Sequence, residues 1–332
     1  MPGTGEEAFG SKLLRGFKLG LSFFLFLPFL LFFLPLWWLH RQGELRAGRP
    51  APQAPWNVLC SAMDRIPKRH PSPLPAGEAS APASRMPIVP TRPAGKVALV
   101  TGGSDRIGAM ICRELSAIGF DVALTYHHSG PKAQRLVSEL TSQGTMARCY
   151  PLDLANPQRI SALVEAVEQQ SGPITLLVNN AGYFHADAME CGWDNMEKLM
   201  KVNLQGPLWL SMRVAQAMRQ SRVQGQIISL GDIWGERTLT GHACYGAAKA
   251  GMIMATRVLA RDLAPQVRVN AILPGAVLPP ASPHPGFMEM LARTPLRDQA
   301  GPEGIVQALR YLLEAQFVTG EIMHVDGGRH LT

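Results

Sequence analysis

From Lys96 to the end of the chain, short aliphatic and β-branched runs alternate with longer stretches in which apolar residues recur every three or four positions. The runs predict strands and the periodic stretches predict amphipathic helices. Predicted strands cover 97–101, 121–126, 146–152, 174–180, 226–230, 267–273 and 321–325, and predicted helices cover 107–118, 131–143, 156–171, 193–219, 243–263 and 303–315. This alternation is typical of an α/β fold with a doubly wound parallel sheet, whose ligands bind at the carboxyl ends of the strands.

The chain before this region has a different pattern. Residues 19–39 carry no charge and are rich in Phe and Leu, and as a helix they would span about 31 Å, enough to cross a bilayer. We therefore expect a hydrophobic segment over 1–40, either a membrane anchor or the by-product of a start site upstream of Met86. Residues 41–95 are dense in Pro, Ala, Ser and Arg without a periodic apolar face, which predicts a disordered linker. Residues 96–332 then form a single domain.

The distribution of charge and of cysteines excludes two classes of binding site. The net charge of +7 divides into 11 basic minus 5 acidic residues before Lys96 (+6) and 21 minus 20 from Lys96 onward (+1). The basicity therefore lies outside the α/β domain, and we expect no nucleic-acid partner. Five scattered cysteines without a CxxC pair predict no metal site and favour a reducing compartment.

A glycine-rich turn follows the first predicted strand and leads into a helix. It reads Thr101-Gly102-Gly103-Ser104-Asp105-Arg106-Ile107-Gly108. Gly102 and Gly108 allow a tight turn, so that the free N–H groups of the helix can face a pyrophosphate. The turn favours a Rossmann-type dinucleotide site.

A second candidate for chemistry is the pair Tyr245 and Lys249 near the start of a long predicted helix. The i, i+4 spacing places the phenol and the ammonium on one helical face. We expect the charge of Lys249 to lower the pKa of Tyr245, which would make the phenol a useful acid.

With these motifs in view, residues 96–332 resemble the short-chain dehydrogenase/reductase family. The matching motifs occur in the family's order: TGGSDRIG, Asp153-Leu154, Asn179-Asn180-Ala181-Gly182, Asn203, YGAAK, Pro274-Gly275 and VTGEIMHVDGG. The resemblance implies that Asp153 contacts the adenine and that Asn180 and the glycine-rich turn border the dinucleotide. It also implies that Lys249 binds the nicotinamide ribose and that Asn203 positions a water in a proton relay.

Two departures from the general family motif point to one branch, the pteridine reductases. Arg106 replaces the third glycine of TGxxxGxG, and Asp232 stands thirteen residues before Tyr245, where the family usually has its catalytic serine. The branch is similar in both positions, and Phe184 matches its aromatic residue that stacks on the pterin. A pterin presents ring nitrogens and an amino group, which suit a carboxylate partner. The alternative is that Asp232 is a solvated loop carboxylate and Ser229 takes the usual role.

The predicted site is thus as follows. The catalytic residues are Asp232, Tyr245, Lys249 and Asn203, and the substrate-binding residues are Arg106, Phe184, Asp232 and Tyr245. The cofactor-binding residues are Gly102, Ser104, Arg106, Ile107, Gly108, His128, Ser129, Asp153, Leu154, Asn180, Ala181, Gly182, Tyr245, Lys249, Pro274 and Gly275.

The second predicted strand ends in Tyr126-His127-His128-Ser129, with no carboxylate for a ribose 2′-hydroxyl. This favours NADPH, with Ser129, His128 and Arg106 available to its phosphates. Asp105 argues against a strong preference, since the branch often has a basic residue at that position.

The predicted reaction is NADPH-dependent reduction of a C=N bond in a dihydropterin or dihydrofolate-like substrate. The alternatives are reduction of a 3-oxoacyl thioester or similar ketone, and a membrane-tethered NADPH-binding scaffold without turnover.

Segment 278–295 is expected to be a mobile loop over the crevice. By resemblance we expect a homo-oligomer formed through 243–263 and 303–315. The need for NADPH predicts a cytoplasmic location, with membrane anchoring if 19–39 is retained.

Overall fold

The computed structural model describes residues 95–187, 191–275, 277, 285–298 and 301–332. The predicted hydrophobic segment 1–40 and the predicted linker up to residue 94 lie outside this part of the chain. Among the described residues, no helix has both the length and the apolar character that a membrane crossing needs.

Seven strands and eight α-helices make up the described fold. The strands are β1 (Val97–Val100), β2 (Asp121–Tyr126), β3 (Ala147–Pro151), β4 (Ile174–Asn179), β5 (Gly225–Leu230), β6 (Val267–Pro274) and β7 (Ile322–Val325). The helices are α1 (Arg106–Ala117), α2 (Gly130–Ser142), α3 (Pro157–Ser171), α4 (Trp193–Met200), α5 (Gly206–Gln220), α6 (Ala243–Leu263), α7 (Pro285–Ala292) and α8 (Gly301–Glu314).

The strands form one parallel sheet in the order β3-β2-β1-β4-β5-β6-β7. The order reverses between β1 and β4, which is the point where doubly wound sheets open a crevice for ligands. The predicted Rossmann-type α/β fold is confirmed, and each predicted strand is present within two residues at either end.

The two faces of the sheet carry separate cores, because successive strand residues point to opposite sides. Ala98 and Val100 of β1 pack with the buried residues of α1, α2 and α8. Val97 and Leu99 pack with the buried residues of α3, α5 and α6. The sheet is therefore covered by helices on both faces, and the carboxyl ends of its strands border the cleft described below.

Two predictions about helices differ from the structure. The single helix predicted over 193–219 is divided into α4 and α5 by a π-helical turn, Lys201–Gln205. Asn203 bonds the carbonyl of Leu199 with its side chain, and Pro207 has no N–H to offer the helix ladder. The second difference concerns the expected mobile loop 278–295. Its described part contains α7 and is therefore in large part helical.

Candidate active site

A cleft of about 1900 Å³ opens along the carboxyl ends of β1 to β6. It is large enough for a dinucleotide together with a second ligand, since pockets for single small ligands measure roughly 300–1,000 Å³. Most of the predicted site residues line it: Gly102, Ser104, Arg106, Ile107, Gly108, His128, Ser129, Asp153, Leu154, Asn180, Ala181, Gly182, Phe184, Asp232, Tyr245, Lys249, Pro274 and Gly275.

The glycine-rich turn is held against the end of β4. Gly102 has φ +61°, a left-handed conformation that favours glycine. A Cβ on Gly108 would overlap the carbonyl oxygen of Gly102, so the helix can approach the turn only without a side chain there. Asn180 Nδ2 donates to the carbonyls of Thr101 (2.9 Å) and Gly102 (3.1 Å). Asn180 thus fixes the turn on the cleft wall.

Arg106 begins α1 with φ +48°, an uncommon value for a residue with a side chain. Its backbone N–H donates to the carboxylate of Asp105 at 2.9 Å, which caps the helix. Lys132 of α2 forms an ion pair with the same carboxylate. The hydrogen bond from Lys132 is the main reason that the pKa of Asp105 is lowered. The negative charge of Asp105 is therefore offset by a cation that the sequence did not indicate.

Polar groups at the ends of β2 and β3 continue the cleft. The hydroxyls of Ser104 and Ser129 lie 2.7 Å apart and join the glycine-rich turn to the residues that follow β2. The rings of His127 and His128 contact each other, with centroids 3.7 Å apart. Asp153 accepts from the N–H of Ala155 at 2.9 Å, which holds the turn after β3.

Asp232, Tyr245 and Lys249 come together where β5 ends against α6. The Tyr245 hydroxyl donates to Asp232 Oδ2 at 2.6 Å, and Asp232 Oδ1 accepts from the Trp234 N–H at 3.0 Å. Lys249 Nζ donates to the carbonyl of Leu230 at 3.3 Å and lies 5.7 Å from the centre of the Tyr245 ring. Tyr245 and Lys249 are both buried.

The electrostatics of this group differ from the expectation. The pKa of Tyr245 is raised, first by burial and then by the Asp232 carboxylate, so the lowering expected from Lys249 is wrong for this structure. Burial also raises the pKa of Asp232, against the opposing effect of Lys249. The pKa of Lys249 is lowered by burial, and Asp232 opposes that shift. Tyr245 therefore holds its proton at neutral pH, with a buried carboxylate as its partner.

Ser229, the alternative to Asp232, lies in the interior of the sheet. It is 4% exposed, and its hydroxyl accepts from Asn179 Nδ2 at 3.3 Å. Tyr245 bonds Asp232 instead, as described above.

Asn203 lies under the cleft, in the π-helical turn. Its Nδ2 donates to the carbonyls of Tyr183 (2.7 Å) and Leu199 (3.1 Å), and its Oδ1 accepts from the Tyr183 N–H at 3.0 Å. The side chain is 2% exposed and holds the segment after β4. A Cβ on Gly182 would fall 3.1 Å from Asn203 Oδ1 and 3.9 Å from Lys249 Nζ, so Gly182 lies between them. The water-positioning role of Asn203 stays a prediction.

Phe184 packs against Tyr245 in the cleft. Its ring meets the Tyr245 ring edge-on at 4.9 Å and is stacked with the His242 ring at 4.7 Å and 16°. Phe184 is 60% exposed, a large fraction for an aromatic side chain that lines a cleft.

Pro274 ends β6 at the same edge of the sheet, and Gly275 follows it. The Gly275 N–H donates to the carbonyl of Val325 at 3.0 Å, and a Cβ on Gly275 would fall 2.7 Å from Asp326 Cβ. The absence of a side chain lets the backbone after β6 pass close to the C-terminal strand.

Sequence reasoning missed four residues of this region: Lys132, Asp187, Trp234 and His242. Lys132 and Asp187 act on groups 27 and 56–58 residues away along the chain. No local spacing could have indicated those contacts. His242 stands three residues before Tyr245, and its position on the approach to α6 was a signal that could have been used.

Comparison with known proteins gives consistent matches over this part of the chain. The family model described as Enoyl-(Acyl carrier protein) reductase matches residues 103–330. The 3-oxoacyl-[acyl-carrier-protein] reductase FabG of Vibrio cholerae is 34% identical over 244 residues, which cover 71% of this chain and 98% of the relative.

Two solved structures are also similar. FolM alternative dihydrofolate reductase 1 from Brucella canis, complexed with NADP, has a TM-score of 0.67 and 30% identity, and the match covers 73% of this chain and 97% of that one. A blue fluorescent protein from a metagenomic library, in complex with NADPH, has a TM-score of 0.66 and 36% identity, with 71% and 98% covered.

Proposed function

Because the chain belongs to the short-chain dehydrogenase/reductase family, we propose that it is an NADPH-dependent pteridine reductase. Its substrate is a dihydropterin or a dihydrofolate-like molecule, and hydride goes to a C=N bond of the ring. The likeness to FolM alternative dihydrofolate reductase 1 supports this substrate class.

The observation that carries the proposal is the 2.6 Å hydrogen bond between Tyr245 and Asp232. A ketone needs a neutral donor for its oxygen, whereas a pterin ring offers both nitrogen acceptors and amino donors. In its ionised form the Asp232 carboxylate can accept a hydrogen bond from the amino group, and in its protonated form it can supply a proton, through the Tyr245 phenol, to the ring nitrogen. The raised pKa of Asp232 favours its protonated form, which can supply the proton. The raised pKa of Tyr245 makes the phenol a weak acid, so it relays a proton from Asp232 and is not left as phenolate.

The cleft suits NADPH as cofactor, which supplies the hydride when bound. The turn from Gly102 to Gly108 and the start of α1 would hold the pyrophosphate. β2 ends without an acid that would bind a ribose 2′-hydroxyl, and we propose that Ser129 and His128, which line the cleft, bind the 2′-phosphate. The acidic side chain of Asp105 would repel the 2′-phosphate of NADPH. Its ion pair with Lys132 offsets that negative charge.

Substrate stacking is the proposed role of Phe184. A flat heterocycle between Phe184 and the nicotinamide would gain stacking geometry worth about 1 kcal/mol beyond its buried area. His242 supports the ring by its own stacked contact at 4.7 Å. The proton relay that we propose runs through Tyr245 and Asp232. The nearby Lys249 ammonium favours the ionised form of Asp232.

Reduction of a 3-oxoacyl thioester or similar ketone is the second candidate. It is favoured by the 34% identity to FabG of Vibrio cholerae. Asp232 opposes it, because its carboxylate and not a serine hydroxyl is hydrogen-bonded to Tyr245.

A side-by-side assay separates the two candidates. Purified protein is given NADPH and either dihydrobiopterin, dihydrofolate or acetoacetyl thioester, and NADPH oxidation is followed. We expect kcat/KM for the better pteridine to exceed that for the thioester by at least about tenfold, since enzymes discriminate substrates by the ratio of these values. A higher value for the thioester would establish the carbonyl reductase, and absence of turnover with all three would favour a non-catalytic NADPH-binding scaffold.

The proposed partners are a small pteridine substrate and further copies of the same chain. An assembly through α6 is supported by its exposed apolar residues Met254 and Val258, and α5 also exposes Trp209 and Met212. The need for NADPH favours a cytoplasmic catalytic domain.

A further inference from the structure

The N-terminus of α6 is capped by a side chain from a distant segment. Asp187 Oδ1 accepts from the N–H of Ala243 at 2.6 Å, and its Oδ2 accepts from the N–H groups of Cys244 and Tyr245, the latter at 3.2 Å. His242, the residue in the N-cap position, makes no side-chain cap hydrogen bond. One carboxylate therefore satisfies three donors that a helix leaves unpaired in its first turn.

Asp187 also ties its own backbone to the loop before α6. The N–H of Asp187 donates to the carbonyl of Gly241 at 2.7 Å. Three residues earlier, Phe184 touches the rings of Tyr245 and His242. The segment after β4 and the start of α6 are thus joined by backbone hydrogen bonds, by the Asp187 carboxylate and by the ring contacts of Phe184.

We propose that Asp187 is a positioning residue for proton transfer. By binding the first turn of α6, its carboxylate fixes the backbone of Tyr245 and keeps Phe184 over the phenol. The inference rests on the proposed function in taking Tyr245 as the proton donor, and it does not depend on whether the substrate is a pterin or a ketone.

The contacts predict which step depends on Asp187. Lys249 lies one turn further along α6 and is held separately by the carbonyl of Leu230. The glycine-rich turn is held by Asn180. Loss of Asp187 should therefore displace the phenol and Phe184 while the cofactor cradle keeps its shape. A negative side chain also suits the positive end of the helix dipole, so the amide variant should serve less well than the acid.

Three variants test the proposal: Asp187→Ala, Asp187→Asn, and Asp194→Ala as a matched control, since Asp194 is an exposed acid in the first turn of α4. The readouts are kcat and KM on the substrate that the wild type reduces best, the Kd of NADPH by fluorescence, and amide hydrogen exchange over 241–249. Hydrogen exchange needs no turnover, so this test remains decisive if the proposed reaction is wrong.

We expect Asp187→Ala to lower kcat about 10- to 100-fold, because small displacements of a catalytic group have effects of that size. NADPH affinity should change less than about threefold, and exchange should accelerate at 243–245. Asp187→Asn should recover most of the lost rate, since an amide oxygen can also cap. Asp194→Ala should match the wild type. Unchanged kcat and exchange in Asp187→Ala would overturn the proposal, as would a parallel loss of rate, NADPH affinity and thermal stability without recovery in Asp187→Asn.

Discussion

At the scale of single residues, the proposed chemistry depends on the Asp232 carboxylate, which is buried beside the Tyr245 phenol and the Lys249 ammonium. Burial alone would favour neutral Asp232 and neutral Lys249, while their attraction favours the ion pair. Tyr245 keeps its proton because burial and Asp232 both oppose phenolate. The hydrogen-bonded pair of Tyr245 and Asp232 can therefore carry a proton beside the cleft that a ligand could accept.

The raised pKa of Asp232 has a consequence for stability. The folded protein binds a proton at Asp232 more tightly than the unfolded chain, so this contribution is present at low pH and is lost as pH rises through the folded pKa. We expect the Tm of Asp232→Asn, relative to wild type, to rise from pH 4 to pH 7, as measured by calorimetry. A relative Tm that falls over this range would show that the folded pKa is depressed.

Lys132 should influence the choice between NADPH and NADH. In Lys132→Gln the carboxylate of Asp105 loses its ion-pair partner and would repel a nearby 2′-phosphate. We expect the Kd of NADPH to rise about three- to fivefold, the size of a solvent-exposed charge interaction, with less change for NADH. The difference should shrink at high salt.

The double variant Asp105→Asn with Lys132→Gln is the control for this prediction, and it should return the Kd of NADPH toward the wild-type value. If NADPH and NADH weaken equally in Lys132→Gln, Lys132 has no role in recognising the 2′-phosphate.

At the scale of elements, the π-helical turn shows how a side chain can override a periodic pattern. Apolar spacing continues from 193 to 219 and predicts one helix, yet Asn203 turns its amide to the backbone of Leu199 and Tyr183. The pattern records which face is buried, and it does not record the local competition for hydrogen bonds. The expectation of a loop over 278–295 has a different cause: the proline-rich residues before α7 dominate the local composition, and they hide the helix that follows.

Replacing Asn203 should destabilise the fold. Asn203→Ala removes three hydrogen bonds and leaves the Tyr183 backbone groups without partners. We expect a loss of about 2–4 kcal/mol in the free energy of unfolding, measured with urea. Gln205→Ala, at an exposed position of the same turn, should cost less than about 0.5 kcal/mol. Equal losses in the two variants would contradict the structural role of Asn203.

At the scale of the whole molecule, the order of strands and helices followed from sequence alone, because buried parallel strands and two-sided packing leave strong periodic patterns. Motif spacing also placed Tyr245, Lys249 and the glycine-rich turn on the same edge of the sheet. The caps and ion pairs formed by Asp187 and Lys132 could not be predicted, since they join residues that only the folded chain brings together.

The exposed apolar residues of α5 and α6 predict a larger assembly. Trp209 and Met212 on α5 and Met254 and Val258 on α6 are each 39–56% exposed. We expect the domain to be at least dimeric by light scattering, and Met254→Glu to reduce the mass to that of one chain without changing the circular dichroism spectrum. Met146→Glu, at an exposed methionine before β3, is the matched control and should keep the assembly. A monomeric wild type would contradict this prediction.

The proposed pteridine substrate rests most directly on the carboxylate of Asp232 as the group that would select a nitrogen heterocycle. The direct test is steady-state kinetics of Asp232→Ser with a dihydropterin, with the Kd of NADPH measured alongside. We expect kcat/KM to fall about 100-fold, the scale of one acid–base group, while NADPH binds within about threefold of wild type. Pterin kinetics that stay unchanged in Asp232→Ser would contradict the proposed role of Asp232 in selecting the substrate.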